Sequence, residues 1–437
     1  MNEIKEKARN FLKKYGMYFE DINMEECLQN FLHEMKTGLS NEKSSLQMIP
    51  TFIEVEGEIP LNEKVIVLEA GGTNFRAASV YFNDSKRPVI ENFKKFPMPG
   101  VEKEVGKKEF FDKTIEYMTD VMNLSKNVGF CFSYPTEMLP TKDGKLVHFS
   151  KEVKAKEVEG ELIGENINLA LKEQGISEAK KFILLNDTVA TLLGGKAETQ
   201  NRKFDGYIGF ILGTGTNCCY VEKNKNIIKF ENLDNEKSQV INIETGGFTK
   251  APGGIIDKEF DATTKDPGLY TFEKMVSGRY IGPLYHEVIK KALSDGLFSN
   301  VASVELSKMV DLSTIDVNLF LKNPTSIDNT LGKVVNSLDA EDRILLYHLF
   351  DIMSERVALL VAISLSAVVI KMDKGKDPLL PVCIAAEGTT FYEFKSLKDK
   401  IFYYIKKYLI DEKGRYIEFI KAENATLIGA AIAGLTN

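Results

Sequence analysis

The chain has 437 residues, more than one compact core usually holds; at about 150 residues per domain it divides into roughly two or three units. Hydrophobic residues at 43% and charged residues at 27% describe an ordinary globular composition, and the net charge of −7 argues against a general nucleic-acid or membrane-surface binder, since both need a positive field. Scattered Cys27, Cys131, Cys218, Cys219 and Cys383 and four histidines give neither a disulfide framework nor a zinc spacing, so buried thiols in a reducing cytoplasm and no protein-caged metal are expected.

The opening MNEIKEKARNFLKKYGMYF is charged throughout and has no apolar core of a signal, so neither secretion nor mitochondrial attachment is expected. Residues 3–39 have helical spacing, with Ile4, Phe11 and Leu12, then Cys27, Leu28, Phe31, Leu32 and Met35. Met48-Ile49-Pro50 begins an extended segment. VIVLEAGGTNFRAASVYF then gives two strands, 65–68 and 77–82, joined by a glycine turn with Glu69 just before it. A helix over 109–124, a buried strand over 128–133, a helix over 163–173 and a strand over 182–185 follow.

In LLNDTVATLLGG (184–195), Asn186 and Asp187 stand between a strand end and a helical run. Two readings stay open there: an N-cap pair, or a carboxylate held at a cleft to take a proton from a hydroxyl. Strand 207–212 runs into GTGTN (213–217) and then CCYVE, and strand 380–385 runs into EGTT (387–390). The apolar stretch 357–370 falls short of the roughly 20 residues that span a bilayer and reads as a buried helix. ATLIGAAIAGL closes the chain as a small-residue helix.

Strand, Gly/Thr turn, strand thus occurs more than once. Such a turn offers backbone N–H groups and hydroxyls to phosphate oxygens, although a single one is usually just a hairpin. The pair LEAGGTNFR and LGTGTN, about 140 residues apart, points to a nucleotide held between two related lobes. Neither is a P-loop or a dinucleotide fingerprint. Glu244 in INIETGG and Glu273 in DPGLYTFEKMVSGRYIG are candidate acceptors for vicinal sugar hydroxyls, and Ser150-Lys151 in HFSKEV offers a hydroxyl and an ammonium.

Together these stretches resemble the eukaryotic-type hexokinases, within the actin-like ATPase superfold, nearly end to end. FLHEMKTGLS…QMIPTFI (31–53) resembles the family's FxxEMxxGL…MLPTF, and LEAGGTNFR its LDLGGTNFR first phosphate loop. GFCFSYP (129–135) and HFSKEVKAKEVEGE (148–161) resemble its sugar-loop segments. LLNDTVATLLGG resembles VNDTVGT, GTGTNCCYVE resembles GTGTNACYxE, and DPGLYTFEKMVSGRYIG resembles PG…FEKMISGxYLG.

The resemblance implies a two-lobed α/β fold of the actin-like (ribonuclease H-like) kind with a deep interlobe cleft. The small lobe would be 61–190 with a returning helix, 424–437; the large lobe would be 1–60 and 191–423. It implies phosphorylation of glucose and related hexoses by ATP at the 6-hydroxyl, the first step of glycolysis, by a cytoplasmic monomer or homodimer with no nucleic-acid or membrane partner. Mg²⁺ would arrive with the ATP. Asp187 matches the family's catalytic base, with Lys151 supplying positive charge. Ser133, Ser150, Lys151, Asn186, Asn217, Glu244 and Glu273 match its sugar-binding residues. Glu69, Gly71, Gly72, Thr73, Asn74 and Arg76 match the first phosphate loop, Gly213, Thr214 and Gly215 the second, and Gly388, Thr389 and Thr426 the adenosine side.

Four positions depart from the pattern. Glu69 stands where the family has Asp, HFSKEV where it has NWTKGF, and IETGG where it has MEWG. ATLIGAA replaces GSGKGAA, so Leu427 and Ile428 occupy the Gly and Lys positions. These departures frame the alternatives: a sugar-binding sensor with weakened catalysis, or a relative acting on another substrate such as an amino sugar.

Overall fold

The computed structural model describes residues 2–149 and 153–437. Two sheets organise the chain. The first has five strands in the order Pro88–Pro97, Asn74–Phe82, Val65–Gly71, Asn127–Phe132, Lys181–Leu185. The second has six, in the order Ile49–Pro50, Ser238–Asn242, Thr216–Lys223, Gly206–Leu212, Val382–Glu387, Ile417–Ile420. Each repeats one plan. Three consecutive strands form an antiparallel meander, and two later strands join in parallel beside the first. Parallel additions need crossovers, and helices Lys107–Met118 and Ile163–Glu173 supply them in the first sheet.

Central strands are apolar on both faces because both faces are covered. Val65, Ile66, Val67 and Leu68 are all fully buried. The hairpin strands run further than the apolar pattern predicts, to Gly71 and from Asn74, because Glu69, Asn74 and Arg76 interrupt the pattern without interrupting the ladder. The helix expected over 109–124 ends at Met118. Beyond it Thr119, Val121 and Leu124 donate three residues back, to Glu116, Met118 and Val121, so the chain tightens into turns while Val121 stays buried.

Between the sheets lies a layer of two helices, Asp187–Glu198 and Ala425–Thr436. They share one core with Val67, Cys131 and Ile183 of the first sheet and Cys219 and Val240 of the second. A Cβ on Gly429 would stand 1.9 Å from the Ala190 carbonyl oxygen, and one on Gly194 2.5 Å from that of Ala425. The two helices therefore meet backbone to backbone and antiparallel, with the start of the C-terminal helix, at Ala425, against Gly194 in the middle of the helix that Asp187 begins. Leu427 and Ile428 are spent in this core, 3% and 6% exposed.

The apolar stretch 357–370 belongs to a 33-residue helix, Ala340–Met372, capped by the Asp339 side chain. Among the described residues it is the one helix long and apolar enough to cross a membrane, and its apolar window is 94% buried inside the molecule. It is the core helix of the second sheet's side. Its buried Arg356 forms a two-pronged pair with Asp257, at 2.6 and 3.1 Å. All five cysteines are buried and unpaired.

Candidate active site

A cleft of about 1260 Å³ opens where the two sheets face one another. From the first sheet's side it is lined by Ser133, Tyr134, Asn186 and Asp187; from the second by Thr214, Gly215, Asn217, Glu244 and Glu273. Widely separated sequence candidates thus line one cleft. Ser150 and Lys151 lie outside the described residues.

Asp187 is the first residue of its helix, just past strand Lys181–Leu185. The N-cap reading holds for its neighbour: Asn186 Oδ1 accepts from the Thr188 N–H at 2.8 Å, which leaves the Asn186 amide N–H₂ for the cleft. Asp187 Oδ1 accepts from Thr188 Oγ1 at 3.2 Å. A carboxylate at a helix N-terminus is favoured by the helix dipole.

Glu244 follows strand Ser238–Asn242 in a left-handed conformation, φ 58°. Its Oε1 accepts from Asn242 Nδ2 at 2.7 Å and Asn217 Nδ2 at 3.4 Å. Burial pushes its carboxyl up to about 7; the Asn242 amide opposes this, and the charges of Asp187 and Glu273 add to it. Asn217 is engaged at every site it has. Its Nδ2 also donates to Asn242 Oδ1 at 2.8 Å, and its Oδ1 accepts from the N–H groups of Cys218 (2.8 Å) and Thr245 (3.2 Å). Asn217 therefore holds Glu244 in place. Glu273 Oε2 accepts from the Thr216 N–H at 3.1 Å, against Gly215.

The two glycine turns flank this cleft. The first is a tight hairpin with Gly71 opposite Asn74, so Gly72 and Thr73 form its tip, and Gly72 adopts φ +63°. That conformation favours glycine. Tyr134 Oη donates to the Gly72 carbonyl at 2.9 Å, and the Ser133 N–H to Ala70 at 2.9 Å, which ties the hairpin to the cleft wall. The register sets Glu69 opposite Arg76, and they pair at 2.8 Å. Thr426 Oγ1 donates to the other Glu69 oxygen at 3.2 Å. Thr426, expected on the adenosine side, thus braces the first phosphate loop.

In the second turn, strands Gly206–Leu212 and Thr216–Lys223 are closed by Gly213, Thr214 and Gly215. Thr390 Oγ1 donates to the Gly213 carbonyl at 2.9 Å, which draws the EGTT segment with Gly388 and Thr389 against this loop. Gly71, Gly72, Thr73, Asn74, Arg76, Gly213, Gly388, Thr389 and Thr426 are not part of the cavity lining; they stand beyond it, on the side of the two turns. Glu387 also stands there, its carboxyl raised by burial, against which Lys421 pulls and to which Glu69 and Asp187 add.

Sequence reasoning missed Asn242 and Tyr134. Asn242 had a signal: it stands two residues before Glu244 at the end of an alternating strand. Tyr134 had only its place beside Ser133. No group of three or more His, Cys, Asp or Glu suited to hold a metal exists among the described residues. The donor set fits a hydrated cation carried on phosphates rather than a protein cage: each Glu69 oxygen has accepted one hydrogen bond and keeps lone-pair capacity.

Two meander-plus-parallel sheets, a shared helix layer and a cleft between glycine hairpins define a two-lobed actin-like ATPase fold. Comparison with known proteins gives the particular branch. Two hexokinase family models match, one over residues 8–197 and the other over 207–436. Human hexokinase-1 is 28% identical over 440 residues, covering 96% of this chain and 47% of that protein. Hexokinase-1 of Schizosaccharomyces pombe is 27% identical over 427 residues, covering 92% of this chain and 85% of that protein. The chain spans about half the length of the mammalian curated relatives it matches. A Schistosoma mansoni hexokinase solved with glucose superposes with a TM-score of 0.73 at 22% identity, over 99% of both chains. The chain belongs to the hexokinase family.

Proposed function

We propose that the protein transfers the terminal phosphoryl group of ATP to the 6-hydroxyl of glucose and related hexoses. One observation carries the reading: Asp187 shares a cleft with the Asn217–Asn242–Glu244 cluster and Glu273, between two glycine–threonine hairpins. The family membership and the S. pombe relative support it. We take the lobes as 61–190 with 424–437 against 1–60 and 191–423.

Phosphoryl transfer asks a protein for position and electrostatics more than for covalent chemistry. Glu244 and Glu273 accept hydrogen bonds from sugar hydroxyls, and the free Asn186 amide donates one. Asp187 accepts from the 6-hydroxyl and takes its proton as that oxygen bonds to phosphorus. The hairpin N–H groups, with Thr73 and Thr214, receive the phosphate oxygens. Lys151 is the cation assigned to the developing charge. Mg²⁺ supplies charge neutralisation on the nucleotide phosphates, and Glu69 is the residue that would face it. Sugar contacts from both lobes favour closure, which keeps water from competing as acceptor. Five buried unpaired thiols support a reducing, cytoplasmic setting, and phosphorylation of glucose there would serve as the first step of glycolysis.

The test is ADP release that depends on both glucose and MgATP. Asp187→Asn is expected to lose about 10²–10⁴-fold in turnover. Sugar binding, followed by calorimetry because the chain has no tryptophan, should largely persist. Glucose binding without ADP release in the unaltered protein would favour the sensor instead. Near-normal turnover in Asp187→Asn would refute Asp187 as the base.

A further inference from the structure

Three carbonyls of the first glycine hairpin are held from the protein side. That of Ala70 accepts from the Ser133 N–H, that of Gly72 from Tyr134 Oη and that of Thr73 from the Met98 N–H, each at 2.9 Å. Two of these donors are backbone N–H groups, which any residue but proline supplies. The third is a side chain, and it acts at the open tip: Gly72 has φ +63°, and a Cβ placed on it would meet no atom within 4 Å. A peptide unit is planar and trans, so its C=O and N–H point to opposite edges. Holding the Gly72 carbonyl therefore fixes the direction of the Thr73 N–H, one of the donors that such a turn offers to phosphate oxygens. The hydrogen bond also polarises that N–H.

Tyr134 reaches the hairpin from the wall that carries Ser133. It lines the cleft and is 3% exposed. Its ring sits between those of Phe132 and Phe149, each 5.0 Å away between centres, at 58° and 83°. Phe149 is anchored in turn: its N–H donates to Glu159 at 3.0 Å, and its ring lies 5.6 Å from that of Phe110. Packing on two sides thus aims Oη at Gly72. Burial raises the pKa of the phenol, so the hydroxyl keeps the proton it donates.

We propose that Tyr134 is a positioning residue that couples the two substrate sites: a hexose bound against the Ser133–Tyr134 wall steadies the phenol, and the phenol steadies the tip of the first hairpin. The inference rests on the phosphotransfer reading and adds to it a side chain that links one site to the other.

Tyr134→Phe tests it, because it keeps the ring between its neighbours and removes only the donor. Initial rates over a grid of glucose and MgATP concentrations give KM for MgATP at low and at saturating glucose. In the unaltered protein, saturating glucose is expected to lower KM for MgATP about fivefold, the effect of one hydrogen bond. In Tyr134→Phe the fall should be less than about twofold, with KM for glucose at low MgATP and Tm both near their unaltered values. An equal fall in the two proteins would overturn the proposal, and so would no fall in the unaltered one. A variant with both KM values raised alike and a lowered Tm would also overturn it, since that marks a merely structural role. If no hexose is phosphorylated at all, the transfer reading fails by itself, and hydrogen exchange of the sugar-free protein then decides on Tyr134. Exchange of residues 70–76 about fivefold faster in Tyr134→Phe supports its hold on the hairpin, and equal exchange overturns it.

Discussion

The two glycine hairpins have the same backbone plan and opposite arrangements of charge. The first carries its own carboxylate and its own cation, Glu69 and Arg76, locked opposite each other by the register. The second has no charged residue in its turn. Its carboxylates, Glu244 and Glu273, come from segments further along the chain. Glu244 is held by two neutral amides, with no cation paired to it among the described residues. The difference separates two tasks. A paired carboxylate does not repel phosphates. A carboxylate held by amides keeps its remaining acceptor capacity for hydroxyl donors, and pays for its burial with a raised pKa.

Glu244 gives the sharpest way to break this contrast. Donation by a sugar hydroxyl favours the ionised carboxylate, so glucose affinity should rise as pH rises through about 7. The stability of the sugar-free protein should run the other way. Folding raises this pKa from the ordinary 4.5 to about 7, so between those values the folded state holds more protons than the unfolded one, and stability falls as pH rises. Glu244→Gln should weaken glucose binding roughly 10- to 100-fold, the loss of a charged acceptor, and flatten both pH trends. Calorimetry and thermal melts from pH 5 to 8 check this. Unchanged pH slopes in the variant would show that another group carries them.

Arg76→Met tests the other half. It leaves Glu69 without a counter-charge beside the phosphates, so KM for MgATP should rise several-fold while KM for glucose stays near its value. The Arg76 side chain is 35% exposed, and solvent screening holds the stability loss to about 1 kcal/mol. Equal changes in the two KM values would mean that the pair shapes the whole cleft and not the nucleotide end alone.

Much of this plan was legible in the sequence, because hairpins announce themselves locally. Once Gly72 and Thr73 are the turn, Glu69 and Arg76 must face each other. Asp187 at a strand end, and the strands that carry both loops, followed from apolar runs bounded by Gly, Thr and Asn. Contacts between distant segments left no local mark. Nothing in GTGTN shows that Asn217 is saturated by Glu244, Asn242 and two backbone amides. Nothing in ATLIGAA shows that Leu427 and Ile428 turn into the interhelical core while Thr426 turns to Glu69. Helix phase decides that, and the packing of Gly429 on Ala190 and of Gly194 on Ala425 sets the phase.

The smallest effect is expected at Thr426. Its 3.2 Å bond to Glu69 joins the C-terminal helix to the first hairpin, and it exists because Glu69 is one methylene longer than the family's aspartate and reaches both Arg76 and Thr426. Thr426→Val keeps the shape and removes the donor, at a cost of about 0.5–1.5 kcal/mol. KM for MgATP should move less than threefold. Glu69→Asp shortens the carboxylate so that it reaches one partner only. The two changes should therefore be non-additive, with a double variant little worse than Glu69→Asp alone. Chemical denaturation of the four proteins measures the coupling. Strict additivity would mean that Thr426 acts on the loop through something other than Glu69, and the contrast between the hairpins would lose its third member.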